Sequence, residues 1–211
     1  RKEIVEKVLF GHGVVGNDHP IAPSNPFHAA SLPQRKFDVD KARFYAKKAG
    51  GIKVKLSAAD AAFPGAVDAA VLYKEYAAKA GIEIEVVREP NDGYWKNVWM
   101  KKPWGACYWG GRPTEDWMFT TTHFSGADWN DTHFKSAKFD KMLIEARAET
   151  NQSRRRQLYF DMQKMVNEEG GTVVPMFANF VFATHKKINH GTMAGNWMMD
   201  GNKFHERWWF A

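Results

Sequence analysis

The residues with the clearest chemical potential in this 211-residue chain form one run, Tyr108-Trp109-Gly110-Gly111-Arg112-Pro113. Two aromatic rings offer apolar contact area. Two glycines let a ligand approach the backbone, and a guanidinium grips a carboxylate or phosphate through two parallel hydrogen bonds. Trp117, Trp129 and Asn130 extend this aromatic and polar character. The candidate binding set is therefore Tyr108, Trp109, Gly110, Gly111, Arg112, Trp117, Trp129 and Asn130. Two readings of Arg112 stand: a clamp on an anionic ligand, or an ion-pair partner of Glu115 or Asp116.

Other reactive groups are less well arranged. The eight histidines include no HxH or HxxxH pair; His123 and His133, ten residues apart in an expected loop, read as surface or hydrogen-bonded side chains rather than metal ligands. Cys107 is the single cysteine, so an internal disulfide and a CxxC pair are excluded; within an apolar segment it reads as an inert thiol. Glu115-Asp116 are adjacent carboxylates, which point in different directions and make a poor acid–base pair. No phosphate loop, dinucleotide fingerprint, GxSxG or HExxH motif occurs. The expectation is a binding protein rather than an enzyme, with no catalytic residues, no metal and no cofactor. The rivals are a metal- or haem-carrying protein and a small-molecule enzyme using His123 and His133.

The elements that must position these residues follow from pattern. With 44% hydrophobic and 26% charged residues the chain is globular in composition, and no run reaches the ~18–20 apolar residues of a membrane-spanning helix. Net charge is +6, but the basic residues are scattered. The densest run, Arg154-Arg155-Arg156, lies on an expected helix face without any nucleic-acid motif, so a nucleic-acid partner is not expected. Six of the nine tryptophans fall between Trp95 and Trp129; Trp95, Trp99 and Trp104 read as core. Residues 1–10 read as an amphipathic helix with no lead-in, which suggests a piece of a longer protein. Four prolines between Gly11 and Pro33 predict a long ordered loop or a crossover. Asp38 reads as the N-cap of a helix over 39–49. Period-two alternation at Ile52/Val54/Leu56 and Ile82/Ile84/Val86, around a helix over 64–80, predicts a right-handed βαβ unit with parallel strands. Its Lys53/Lys55 row can then face Glu83/Glu85. A further strand is expected over 105–109, helices around 139–146 and over 153–168, and extended chain over 172–175 and 177–184. The class is α/β.

These segments together resemble the C-terminal half of extracytoplasmic solute-binding proteins of ABC transporters, the family of dipeptide-, oligopeptide- and nickel-binding proteins. The resemblance rests on five features in order. They are the opening helix with Gly11-His12-Gly13 and the Pro20–Pro26 loop; Phe37-Asp38-Val39-Asp40-Lys41-Ala42 with Ala49-Gly50; Ala80-Gly81-Ile82; Asn130 to Ser136 running into Phe139-Asp140; and Arg155 to Gln163 followed by Val174-Pro175. It implies one lobe of a type II periplasmic-binding-protein-like clamp, a mixed sheet flanked by helices, which closes on a peptide-like or other small ligand. It also implies partners: ABC permease subunits in the membrane and an N-terminal lobe of the same protein, in the periplasm, with the signal peptide lying outside this stretch. Residues 1–176 would form the ligand-binding lobe, and residues 177–211, with Trp197, Trp208, Trp209 and Phe210, would return to the other lobe. One position departs from the family pattern. Three residues after the strand-end tryptophan, peptide binders place an aspartate for the peptide's amino group; here that position holds Arg112, which suits an anionic group instead.

Overall fold

The computed structural model describes residues 1–195 and 197–211. In chain order its elements are α1 (Lys2–Lys7), β1 (Gly13–Val15), α2 (Val39–Lys48), β2 (Ile52–Ala58), α3 (Ala66–Ala78), β3 (Ile82–Arg88), α4 (Tyr94–Asn97), α5 (Glu115–Thr122), α6 (Ala137–Ala148), α7 (Gln152–Glu169), β4 (Met176–Ala178), β5 (Ile188–His190), the short turns α8 (Met198–Asn202) and α9 (Phe204–Arg207), and β6 (Trp208–Phe210). Parallel and antiparallel ladders both occur, in three two-stranded sheets, so the class is α/β with mixed pairing. Two compact units result: Arg1–Gly11 with Gln34–Tyr108, and His12–Pro33 with Trp109–Ala211. No described helix is long and apolar enough to cross a membrane.

The first unit is built on the βαβ motif. β2 and β3 pair in parallel with Lys53 opposite Glu83 and Lys55 opposite Glu85, closing ion pairs of 2.8 and 3.3 Å. These pairs are solvent-exposed and contribute little to stability. The larger force is on the other face, where Leu56 and Ile84 are buried with Val67 and Ala70 of α3. Alternation thus sends Lys53, Lys55, Glu83 and Glu85 to water and Val54, Leu56, Ile82, Ile84 and Val86 to the helix side, and a one-residue slip would reverse both. Asp38 caps α2 as expected, accepting from the Lys41 amide at 2.9 Å.

The strand expected over 105–109 is reduced to a single parallel rung. Ser57 donates its amide to Trp104 O and its carbonyl accepts from Ala106. Ser57 pairs with Gly105 and β2 ends at Ala58, so the parallel ladder stops at this one rung. Trp104 does pack on the βαβ core, whereas Trp95 is 40% exposed and meets Trp99 and Tyr108 edge-on.

The second unit centres on α6 and α7. Phe139, Leu143 and Ala146 of α6 and Tyr159, Met162 and Val166 of α7 bury together with Met118 and Phe119 of α5. Helix α5 was not legible as periodicity; its start is set by Thr114, whose hydroxyl accepts from the Trp117 amide at 3.1 Å. The proline-rich segment enters this core through Ile21. β1 pairs antiparallel with β4, and Gly16 has to be glycine: a Cβ there would meet Val174 O at 2.3 Å. Of the stretches expected to be extended, only Met176–Ala178 forms a strand. Phe139 is fully buried, with Phe119 and Phe134 edge-on to its ring. Phe139→Ala is expected to cost about 3–5 kcal/mol, as for other buried aromatics. Urea unfolding measures it, and a loss below ~1 kcal/mol would contradict this packing.

Candidate functional site

Most of the candidate residues lie in the second unit, around Arg112. Its guanidinium is held from behind by the backbone: Nη1 donates to Gly110 O at 2.9 Å and to Gly111 O at 3.3 Å. The guanidinium carbon lies over the Trp109 ring at 5.8 Å and over the Trp117 ring at 5.6 Å. Indole faces attract cations, by about 0.5–1 kcal/mol at exposed sites and more when desolvated. Among the described residues no carboxylate pairs with Arg112, and its Nε is buried without a hydrogen-bond partner. Its two sequence neighbours are engaged elsewhere. Asp116 takes two hydrogen bonds from Arg147, both at 3.2 Å, and the buried Glu115 faces Arg155 at 3.8 Å.

The rings are fixed in turn. Trp109 donates Nε1–H to Asp131 Oδ2 at 3.1 Å and meets Trp129, tilted, at 6.2 Å. Trp117 projects from the first turn of α5, and both Trp117 and Trp129 are about half exposed. Trp197 joins from the C-terminal segment. It donates Nε1–H to Gly111 O and packs edge-on against Trp117 at 6.2 Å. Nothing local in sequence marks Trp197, which lies 86 residues from Gly111.

Two candidates stand apart. Tyr108 belongs to the first unit and packs edge-on against Trp95. Asn130 is buried, and its amide organises the turn: Nδ2 donates to Phe124 O and Phe134 O while Oδ1 accepts from the Phe134 amide. Glu115 and Asp116, facing different arginines, form no acid–base pair. Among the described residues no three His, Cys, Asp or Glu side chains converge as a metal site would require. What the arrangement around Arg112 can do is bind: a cation with Nη2 uncommitted, set between flat apolar walls.

Comparison with known proteins agrees with this fold. The profile of the family described as bacterial extracellular solute-binding proteins, family 5, middle region, matches residues 1–131. This chain belongs to that family, whose members are binding proteins rather than enzymes. Comparison with curated proteins gives no match. Among solved structures, HbpA2 from Haemophilus parasuis superposes with a TM-score of 0.77 at 16% identity, covering 100% of this chain and 42% of that one. The periplasmic binding protein DppA from Helicobacter pylori, in complex with the peptide STSA, superposes at 0.72 with 18% identity over 84% of this chain and 36% of its own. NikZ from Campylobacter jejuni, in complex with Ni(L-His), superposes at 0.70 with 19% identity over 98% and 45%. These structures share the periplasmic-binding-protein fold, and the chain spans 36% to 45% of their lengths.

The histidines that invited a metal reading have a different physical character. His123 ends α5 rather than lying in a loop. It is buried against Phe119, Phe134 and Phe139, with Nδ1 2.6 Å from Thr122 Oγ1. Burial pushes its pKa down to about 4. His19 is likewise buried, beside His28, and desolvation followed by the His28 charge pushes it down to about 4. Between pH 6.5 and 4 the unfolded chain binds protons at these rings that the folded chain does not. Stability is therefore full above about pH 6.5 and falls as the pH drops toward 4. Urea midpoints measured from pH 7.5 down to 5 should show this slope, flattened in the His19→Gln/His123→Gln variant; an unchanged slope there would contradict the assignment.

Proposed function

We propose that this chain is the ligand-holding part of the solute receptor of an ABC importer. In this reading it captures a small, carboxylate-bearing, peptide-like solute in the periplasm and delivers it to permease subunits in the membrane, without catalysis. Residues 1–176 act as the ligand-binding lobe. Residues 177–211 run back to an N-terminal lobe, which supplies the other half of the clamp; a signal peptide precedes that lobe.

The observation that carries this reading is the state of Arg112. A guanidinium held between two indoles, anchored through one nitrogen and paired with no carboxylate among the described residues, is prepared for an incoming anion. A cation at this position repels an ammonium, so the ligand's amino group is not what is gripped here. The ligands of two structural relatives, a peptide and a histidine complex of nickel, both carry carboxylate groups.

Calorimetric titration of the full-length protein with a panel of short peptides and N-blocked amino acids, against the Arg112→Ala variant, tests the clamp. Loss of a charge-assisted hydrogen bond of about 1.5–3 kcal/mol should weaken carboxylate ligands roughly ten- to a hundredfold and leave their carboxamide analogues unaffected. If the variant binds every ligand of the panel as wild type does, the clamp is wrong.

A further inference from the structure

The four tryptophans around Arg112 are not equivalent. Trp109 and Trp117 face the guanidinium itself, and Trp129 extends the Trp109 side. Trp197 does something else. Its indole N–H donates to Gly111 O, an oxygen that also accepts from Arg112 Nη1. Its ring stands at 73° to Trp117, making an aromatic corner beside the cation. The backbone behind it is braced in an unusual way. Met199, Asp200, Gly201 and Asn202 all lie in the left-handed region, with φ from 49° to 69°. Asp200 holds this turn together, accepting from the Ala194 amide at 2.6 Å, from Arg207 at 3.0 Å and from Trp208 Nε1 at 3.2 Å. Consecutive left-handed residues are costly for L-amino acids and persist where their surroundings over-determine them, commonly at binding sites.

The hydrogen-bonding geometry of Arg112 limits how a ligand can approach. One terminal nitrogen is committed to two carbonyls, Nε is buried and the rings flank the guanidinium, so Nη2 is the nitrogen left for a carboxylate. A group carried on that carboxylate then meets the rings around the guanidinium, among them the Trp117–Trp197 corner. From this we infer that Trp197 is a specificity-determining residue: it receives the body of the ligand and selects carboxylates bearing an aromatic ring over those bearing a small aliphatic group. The inference rests on the carboxylate reading of Arg112 above, and adds to it the class of substituent.

Two probes separate the layers. N-acetylphenylalanine and N-acetylalanine share the carboxylate and differ in the ring. In calorimetric titrations of the full-length protein, wild type should prefer the aromatic probe by about tenfold, the size of one aromatic contact. Trp197→Ala should bring the two probes within about twofold of each other, and Trp197→Leu, which keeps an apolar filler in place of the ring, should do the same. Arg112→Gln should weaken both probes alike. If either Trp197 variant, folded by its circular dichroism, keeps the tenfold preference while Arg112→Gln weakens both probes, the role of Trp197 is overturned and the carboxylate clamp stands. If Arg112→Gln changes neither affinity, the clamp fails. If wild type binds neither probe, or binds both equally, the aromatic class is overturned.

Discussion

A proline-rich segment can be placed inside a protein only if its backbone polar groups find partners, and the second unit depends on how that is done. Residues 12–33 are almost without regular structure, yet Ile21 is part of the core. The completely buried amide of Gln163 resolves the conflict: Oε1 accepts from the Ala29 amide and Nε2 donates to Phe27 O, both at 2.8 Å. Asn167, one turn further along α7, donates to Asn17 O at 2.7 Å, and Asp18 takes the Val174 amide at 2.9 Å. Polar side chains on a helix stand in for the missing sheet partners. An unsatisfied buried amide or carbonyl costs about 1–3 kcal/mol, so several such bonds together decide whether the segment folds at all.

The neighbourhood of Arg112 follows from this framework. With α6 and α7 held against the looped segment, Arg147 and Arg155 are delivered to Asp116 and Glu115. That arrangement engages the two carboxylates that follow Arg112 most closely in sequence. In the proposed carboxylate reading, two arginines that do not belong to the site thus help leave Arg112 to an outside anion. Its apolar walls include Trp109, Trp117 and Trp197, each tied by its own hydrogen bond or cap.

How much of this could be read from sequence depended on the range of the interactions involved. The βαβ unit was legible to the level of register, because period-two alternation and the Lys/Glu rows are local patterns that one pairing satisfies. The Asp38 cap was legible for the same reason. Helix α5 was not: at eight residues, with Trp, Met and Phe followed by three threonines, it carries no helical period. The strand over 105–109 failed because its partner ends at Ala58, which the aromatic segment itself does not reveal. The run from Trp109 to Arg112 stood out because its chemistry is contiguous. The fates of Glu115 and Asp116 did not, since their partners lie 40 and 31 residues away, and Trp197 lies farther still.

The Lys/Glu ladder has a consequence for the molecule in a crowded compartment. Among the described residues β3 bonds only to β2, leaving its outer edge with unused amides and carbonyls. Such an edge invites a second copy to add on. On β3 the exposed positions Glu83 and Glu85 alternate with Ile82 and Ile84. Two such edges meeting would set glutamates against glutamates, with no lysines between them. The acidic row that finds its lysines within the sheet is therefore also what discourages polymerisation.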